Sequence, residues 1–141
     1  MAQRTFLSQL KELQDKLEEV QPAVLKETAS FLVYASPDDT GAYVLSHSIG
    51  RSGNVGRSIS SKGRVSAPNT HRGEALNGLL SQIESIPKDS SRVFIGNNAP
   101  HVNAVEYGGP GWRRGGYFVY EQLRSVFPSI VKSAINAVGL K

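Results

Sequence analysis

Residues 3–34 read QRTFLSQLKELQDKLEEVQPAVLKETASFLVY, and the fold turns on how this run is taken. Phe6, Leu10, Leu13, Leu17, Val20 and Val24 recur every three or four residues, which places them on one face of a helix. Lys11, Glu12, Asp15, Lys16, Glu18 and Glu19 cover the other side. A helix of about 30 residues extends ~45 Å at 1.5 Å per residue, which is long for a small domain. The apolar stripe is expected to pack in the core, with the alternative that part of it packs on a neighbouring subunit. Pro22 lies inside the run. An interior proline costs ~3 kcal/mol and kinks or splits a helix, so two segments or one kinked helix are expected. Ser36-Pro37-Asp38-Asp39-Thr40-Gly41 is turn chemistry that stops it.

Working outward, residues 42–67 read as a basic β-hairpin, with strands over 42–49 and 55–67 joined through Gly50-Arg51-Ser52-Gly53-Asn54. Residues 70–86 carry a helical stripe of Leu76, Leu79, Leu80, Ile83 and Ile86, with Thr70 as the expected N-cap. Residues 91–107 read as strands: the run Arg92–Gly96, then 102–107 beside it. A glycine-rich loop, 108–118, leads into a helix over 119–138 striped by Leu123, Val126, Phe127, Ile130, Val131, Ala134, Ile135 and Val138. Pro128 is expected to open that last helix at its first turn. The order predicts one α+β domain over 1–141. It has a long N-terminal helix, a small mainly antiparallel sheet, and a C-terminal helix packed on the sheet.

The chain has 141 residues, no cysteine and 14 glycines. That length suffices for a core without metals or disulfides, and the lack of cysteine excludes thiolate nucleophiles and cysteine zinc sites. No apolar run reaches the ~18 residues of a membrane span, and the amphipathic, acidic N-terminus reads as neither a signal peptide nor a typical transit peptide. The net charge of +4 is unevenly spread. Residues 1–40 hold four basic and seven acidic side chains, whereas 41–73 hold five basic and none acidic. A basic segment on a balanced chain suits contact with an anion or an acidic protein.

Catalytic patterns are weak. Gly50, Gly53 and Gly56 with Arg57-Ser58 lack the spacing and lysine of a phosphate-binding loop. His47, His71 and His101 stand singly, without helical ligand spacing. Glu106, between Val105 and Tyr107, is read as an ion-paired interface residue, with a perturbed catalytic acid as the alternative. His101 and Glu106 are five residues apart, which on a strand sets them on opposite sides and disfavours a hydrolase built on the two. No enzyme activity and no cofactor is expected.

Two short motifs carry a resemblance. The first is Ser36, Pro37, Asp39, Thr40 and Gly41 after the long helix; the second is Asn97, Asn98, Pro100, Glu106, Tyr107 and Gly108. With Phe118 and the closing stripe from Phe127 to Val138, their order and spacing resemble the tail-completion (neck, head–tail joining) proteins of tailed bacteriophages. One departure is His101, where the family usually carries Tyr. The resemblance implies a non-enzymatic virion protein made in the host cytoplasm. It would form a homo-oligomeric ring, commonly a hexamer, between the head connector and the tail terminator or tail tube, around double-stranded DNA. Tail terminator and minor tail component are close alternatives. A small basic DNA-binding module, rapidly weakened by salt, is the alternative of a different class.

Under that reading, Pro100, His101, Glu106, Tyr107, Trp112, Arg113, Arg114 and Tyr117 are the expected subunit or partner interface. Trp112 fills a partner pocket, since Trp, Tyr and Arg supply much of interface energy, and Glu106 pairs with Arg113 or Arg114. The glycine-rich loop is expected to order on docking. Arg51, Arg57, Lys62 and Arg64 face the DNA channel or an acidic ring.

Overall fold

The computed structural model describes residues 5–38, 43–51, 70–97, 99, 102–109 and 116–139. Within them the N-terminal stripe forms one continuous helix, α1 (Phe6–Ala35). Thr5 caps it by accepting a hydrogen bond from the Ser8 amide at 3.0 Å, which satisfies one orphan donor of the first turn. Pro22 is accommodated inside α1, so the stripe is not divided there. The chain turns extended at Ser36, the C-cap, as the following Pro37 requires.

Past the turn, Val44–Ser46 form one 3-10 turn and only His47–Gly50 form a strand, β1. The strand expected over 42–49 is therefore half its length. Helix α2 (Arg72–Glu84) follows, with His71 rather than Thr70 at the N-cap position and no side-chain cap. Strand β2 (Phe94–Asn97) pairs antiparallel with β1, His47 opposite Asn97 and Gly50 opposite Phe94. The expected strand over 55–67 and the loop tip of the hairpin lie outside the described residues.

Residues 102–107 form a short helix, α3 (Val102–Tyr107), instead of the expected strand. Val105 and Glu106 are both buried, with Val102 half-buried beside them. That is the i, i+3, i+4 pattern of a helix rather than the parity of a strand. Gly108 ends it with φ 97°, donating to the Ala104 carbonyl at 2.8 Å, the left-handed stop that glycine permits.

Helix α4 (Val119–Ala137) closes the fold and contains Pro128 in its interior. The expectation that Pro128 opens this helix was wrong by nine residues. The proline leaves the Arg124 carbonyl without its helical donor, but Arg124 and Pro128 both face solvent, so water can take that bond.

The C-terminal half of α1 is the centre of the molecule. Leu25, Ala29 and Val33 pack with Val44, Leu45 and Ile49 and with Ala75, Leu79 and Ile83 of α2. Leu32 faces a second cluster with Tyr43, Ala99, Val105, Val119, Leu123 and Ile130. Ile95 of β2 touches both. The most extensive contact of α4 is with α1. The two run antiparallel, as the Ser133–Glu27 hydrogen bond and the approach of Lys16 to Gly139 show. Among the described residues no helix is long and apolar enough to cross a membrane.

Candidate functional site

Ser36 of the first sequence motif and Asn97 of the second, some 60 residues apart, meet at a buried polar hub. His47 opens β1 and is 1% exposed. Its Nε2 lies 2.7 Å from Ser36 Oγ at the end of α1, and its Nδ1 lies 2.8 Å from Tyr120 Oη on α4 and 3.2 Å from Asn97 Nδ2. Asn97 also donates from Nδ2 to the Tyr43 carbonyl, while its Oδ1 accepts from the Ala99 amide, so its orientation is fixed. Nδ1 must therefore accept from the Asn97 amide and the Tyr120 hydroxyl, and Nε2–H must donate to Ser36. Ser36 in turn directs its proton to the Leu32 carbonyl.

These directions decide the chemistry. A serine nucleophile needs a histidine that accepts its proton. Here the histidine donates to the serine, and both are shut from solvent. The Ser36–His47 pair is a structural relay. Burial pushes the His47 imidazole down to about pKa 3, so it is neutral in the folded state. The free histidine titrates near 6.5, so the unfolded chain takes up a proton that the folded chain refuses. Stability from this group is complete above about pH 6.5 and is lost as pH falls toward 3, at ~1.4 kcal/mol per pH unit. His47→Gln, followed by urea unfolding between pH 7 and 4.5, should show a shallower pH dependence than the parent. An unchanged slope would exclude His47 as its source.

Glu106 is the second centre. It is 6% exposed. Oε1 accepts from Tyr43 Oη and from the Tyr120 amide, both at 3.1 Å, and Oε2 lies 3.3 Å from the same amide. Tyr120 is the second residue of α4, whose own N-cap, Phe118, supplies no side-chain cap. The carboxylate of α3 thus caps α4, placing an acceptor and negative charge at the positive end of the helix. Burial first, then the Glu106 charge, raise the Tyr43 and Tyr120 phenols far above the ordinary tyrosine range. Both remain hydrogen-bond donors.

Above this cap the chain makes a corner. Tyr117 and Phe118 amides donate to the Val105 and Glu106 carbonyls at 2.7 and 3.1 Å, holding together the two ends of the glycine-rich loop. Phe118 has φ 51°, a left-handed conformation costing a bulky residue about 1–2 kcal/mol. Its ring is partly exposed and meets Tyr107, 65% exposed, edge-on at 6.1 Å.

A third cluster pins the start of α2. His71 donates its backbone amide to Asp38 Oδ2 at 2.8 Å, and its Nδ1 sits 2.6 Å from Oδ1. Arg72 donates to the Val33 and Ser36 carbonyls at 3.3 and 2.8 Å, a cation at the negative end of α1. One charge of the basic segment is thus engaged in the fold itself.

Of the interface residues expected from sequence, the structure brings Glu106, Tyr107 and Tyr117 to one corner, and leaves Arg51 exposed at the end of β1. Pro100, His101, Trp112, Arg113, Arg114, Arg57, Lys62 and Arg64 lie outside the described residues, as does the expected ordering of the loop on docking. Because Glu106 is on a helix, strand parity no longer separates it from His101. Its described partners are a phenol and a backbone amide rather than an arginine. The sequence reading gave no site role to Tyr43, His47 or Tyr120, and Asn97 entered it only as a member of the second motif.

A groove of about 520 Å³ between α1 and α4 is lined by Lys26, Glu27, Ser30, Phe31, Val126, Ser129 and Ile130. It is open and offers few convergent polar groups of the kind that fix a small ligand. Among the described residues no three histidine or acidic side chains are placed to share a metal ion. Comparison with models of known protein families, with curated proteins and with solved structures finds no match.

Proposed function

We propose that the protein is a structural docking subunit of a tailed-bacteriophage virion. It would form a ring in the neck that joins the head connector to the tail and surrounds the DNA channel. The observation that carries this reading is the Tyr107–Phe118 corner. Two aromatic rings, Tyr107 exposed and Phe118 partly exposed, sit on a backbone locked by Glu106, the second of them in a strained conformation. Strain of this kind persists where the surroundings over-determine it, and functional surfaces are where it collects. Aromatic residues on a rigid platform are the usual anchors of protein interfaces. Three described members of the resemblance motifs support the same reading: Ser36 and Asn97 contact His47, and Glu106 lies on the neighbouring Tyr43.

The test uses Tyr107→Ala and Trp112→Ala, introduced singly into the phage carrying the gene. Particles scored by electron microscopy should show unjoined heads and tails, while the purified variants keep the parental melting temperature. Normal joining with both variants would sink the reading. Closed rings of the purified parent, seen by light scattering and microscopy, would add direct support.

A further inference from the structure

The two outer edges of the small sheet are not alike. On β1 the Ile49 amide donates to Gln82 Oε1 of α2 at 2.9 Å. That amide therefore points away from β2, and Ile49 and Ile95, which face each other, form a pair without mutual hydrogen bonds. Bonded and unbonded pairs alternate along an antiparallel ladder. Ser48–Gly96 and Gly50–Phe94 exchange the bonds, and His47–Asn97 again does not. The amides and carbonyls of Ile95 and Asn97 consequently point outward, away from β1. Among the described residues none of these four groups has a hydrogen-bond partner, and β1 is the one element in extensive contact with β2. The outer edge of β1 is closed by α2. The outer edge of β2 is open, with Phe94 38% exposed upon it. Donors and acceptors at alternate residues are met by the backbone of another extended strand.

We infer that β2 pairs antiparallel with β2 of a second copy, centred on Ile95, to give a four-stranded sheet with β1 of each copy outermost. Symmetry selects the orientation. In a parallel ladder the bonding residues of one strand lie opposite non-bonding residues of the other. Two copies related by a two-fold axis cannot then both bond through Ile95 and Asn97. In the antiparallel ladder Ile95 exchanges both bonds with its own copy, and Asn97 does so with Val93, a self-complementary contact. Shape selects the register. Phe94 and Gly96 share the sheet face opposite Ile95, and centring on Ile95 sets Phe94 of each copy across from Gly96 of the other. The ring covers the bare backbone that glycine leaves, a match of aromatic and glycine between adjoining strands. Centring one residue later sets Gly96 on Gly96 and leaves that gap empty. Residues 93–97 are uncharged, so no like charges meet across the ladder. The pairing uses both open edges, and the sheet stops at four strands. The bonded stretch is short and the contact small, so association is weak. A two-fold contact does not close a head-to-tail ring, and the inference does not rest on the virion reading.

Amide hydrogen exchange, read residue by residue by NMR on the full chain, tests this without any substitution. The Gly96 amide, bonded within the sheet, should be protected at every concentration. The Ile95 and Asn97 amides should exchange freely in dilute protein. They should slow by roughly 10-fold as concentration approaches the millimolar range, in step with a dimer seen by sedimentation. In a mixture of isotope-labelled and unlabelled chain, contacts between copies should join the Phe94 ring to Gly96. Phe94→Lys puts a charge at an exposed edge position, a common guard against strand pairing. It should weaken association by roughly 10-fold while the dilute protein keeps its melting temperature. A chain that stays monomeric at millimolar concentration overturns the inference. So does a dimer whose Ile95 and Asn97 amides still exchange freely, because its contact lies elsewhere. Protection of both amides in the dilute monomer overturns it as well, because the edge is then covered from within the chain.

Discussion

Gly116→Ala is expected to be the most damaging single methyl that can be added to the described residues. The new carbon would lie 1.9 Å from the Glu106 carbonyl oxygen, 2.4 Å from its carbon and 2.6 Å from Tyr107 Cα. Every one of these atoms is backbone, so no side chain can rotate aside. Relief requires breaking the Tyr117–Val105 and Phe118–Glu106 hydrogen bonds and lifting α4 off its cap. The cost is at least about 3 kcal/mol, or roughly 10 °C in melting temperature for a domain of this size. Gly73→Ala is the matched control. It adds the same atom on α2, where nothing lies within 4 Å, and should stabilise by about 0.5–1 kcal/mol through helix propensity. Urea unfolding of both variants checks the pair of signs. Equal midpoints would show that the corner is looser than its geometry.

Glu106→Ala should cost nearly as much by a different route. The truncation strands the Tyr120 amide in a buried site, at about 1–3 kcal/mol, takes one acceptor from the Tyr43 hydroxyl, and removes the cap of α4. A total of about 3 kcal/mol is expected from urea unfolding. Glu106→Gln keeps an acceptor oxygen in place and should cost only about 1 kcal/mol. That gap separates two roles for this carboxylate. If Gln restores stability but not docking, the charge serves a partner. If Gln restores both, Glu106 acts only as the cap that holds Tyr107 and Phe118 in position. A severe loss in Gln with a mild one in Ala would contradict the capping geometry altogether.

The parts of this fold that could be read from sequence are those whose signal is local. The stripes Phe6–Val24, Leu76–Ile86 and Leu123–Val138 repeat over several turns, and no strand pattern imitates that. Ser36-Pro37 marks a stop because the proline acts on its immediate neighbour. Residues 102–107 failed because six residues are too few to separate the two periods. Pro128 failed because the rule for proline ignores which face the lost bond falls on, and here it falls on water. The polar hub was illegible for a stronger reason. His47 finds its partners 11, 50 and 73 residues away, and Glu106 finds Tyr43 63 residues back. Nothing in the neighbourhood of either residue encodes the other. The aromatic corner was half legible: Tyr107 and Tyr117 stood out as interface candidates, but the left-handed conformation of Phe118 had no signature.

The order in which the hub's members are synthesised sets a timetable. A ribosome adding ~5–20 residues per second needs about 4–15 s to travel from His47 to Tyr120. Until then the imidazole has no phenol, the Glu106 carboxylate has no helix to cap, and Leu32 faces the place α4 has yet to fill. α1 is thus made well before the helix that encloses it. Over that interval the nascent chain carries a naked apolar flank, an opening for chaperones.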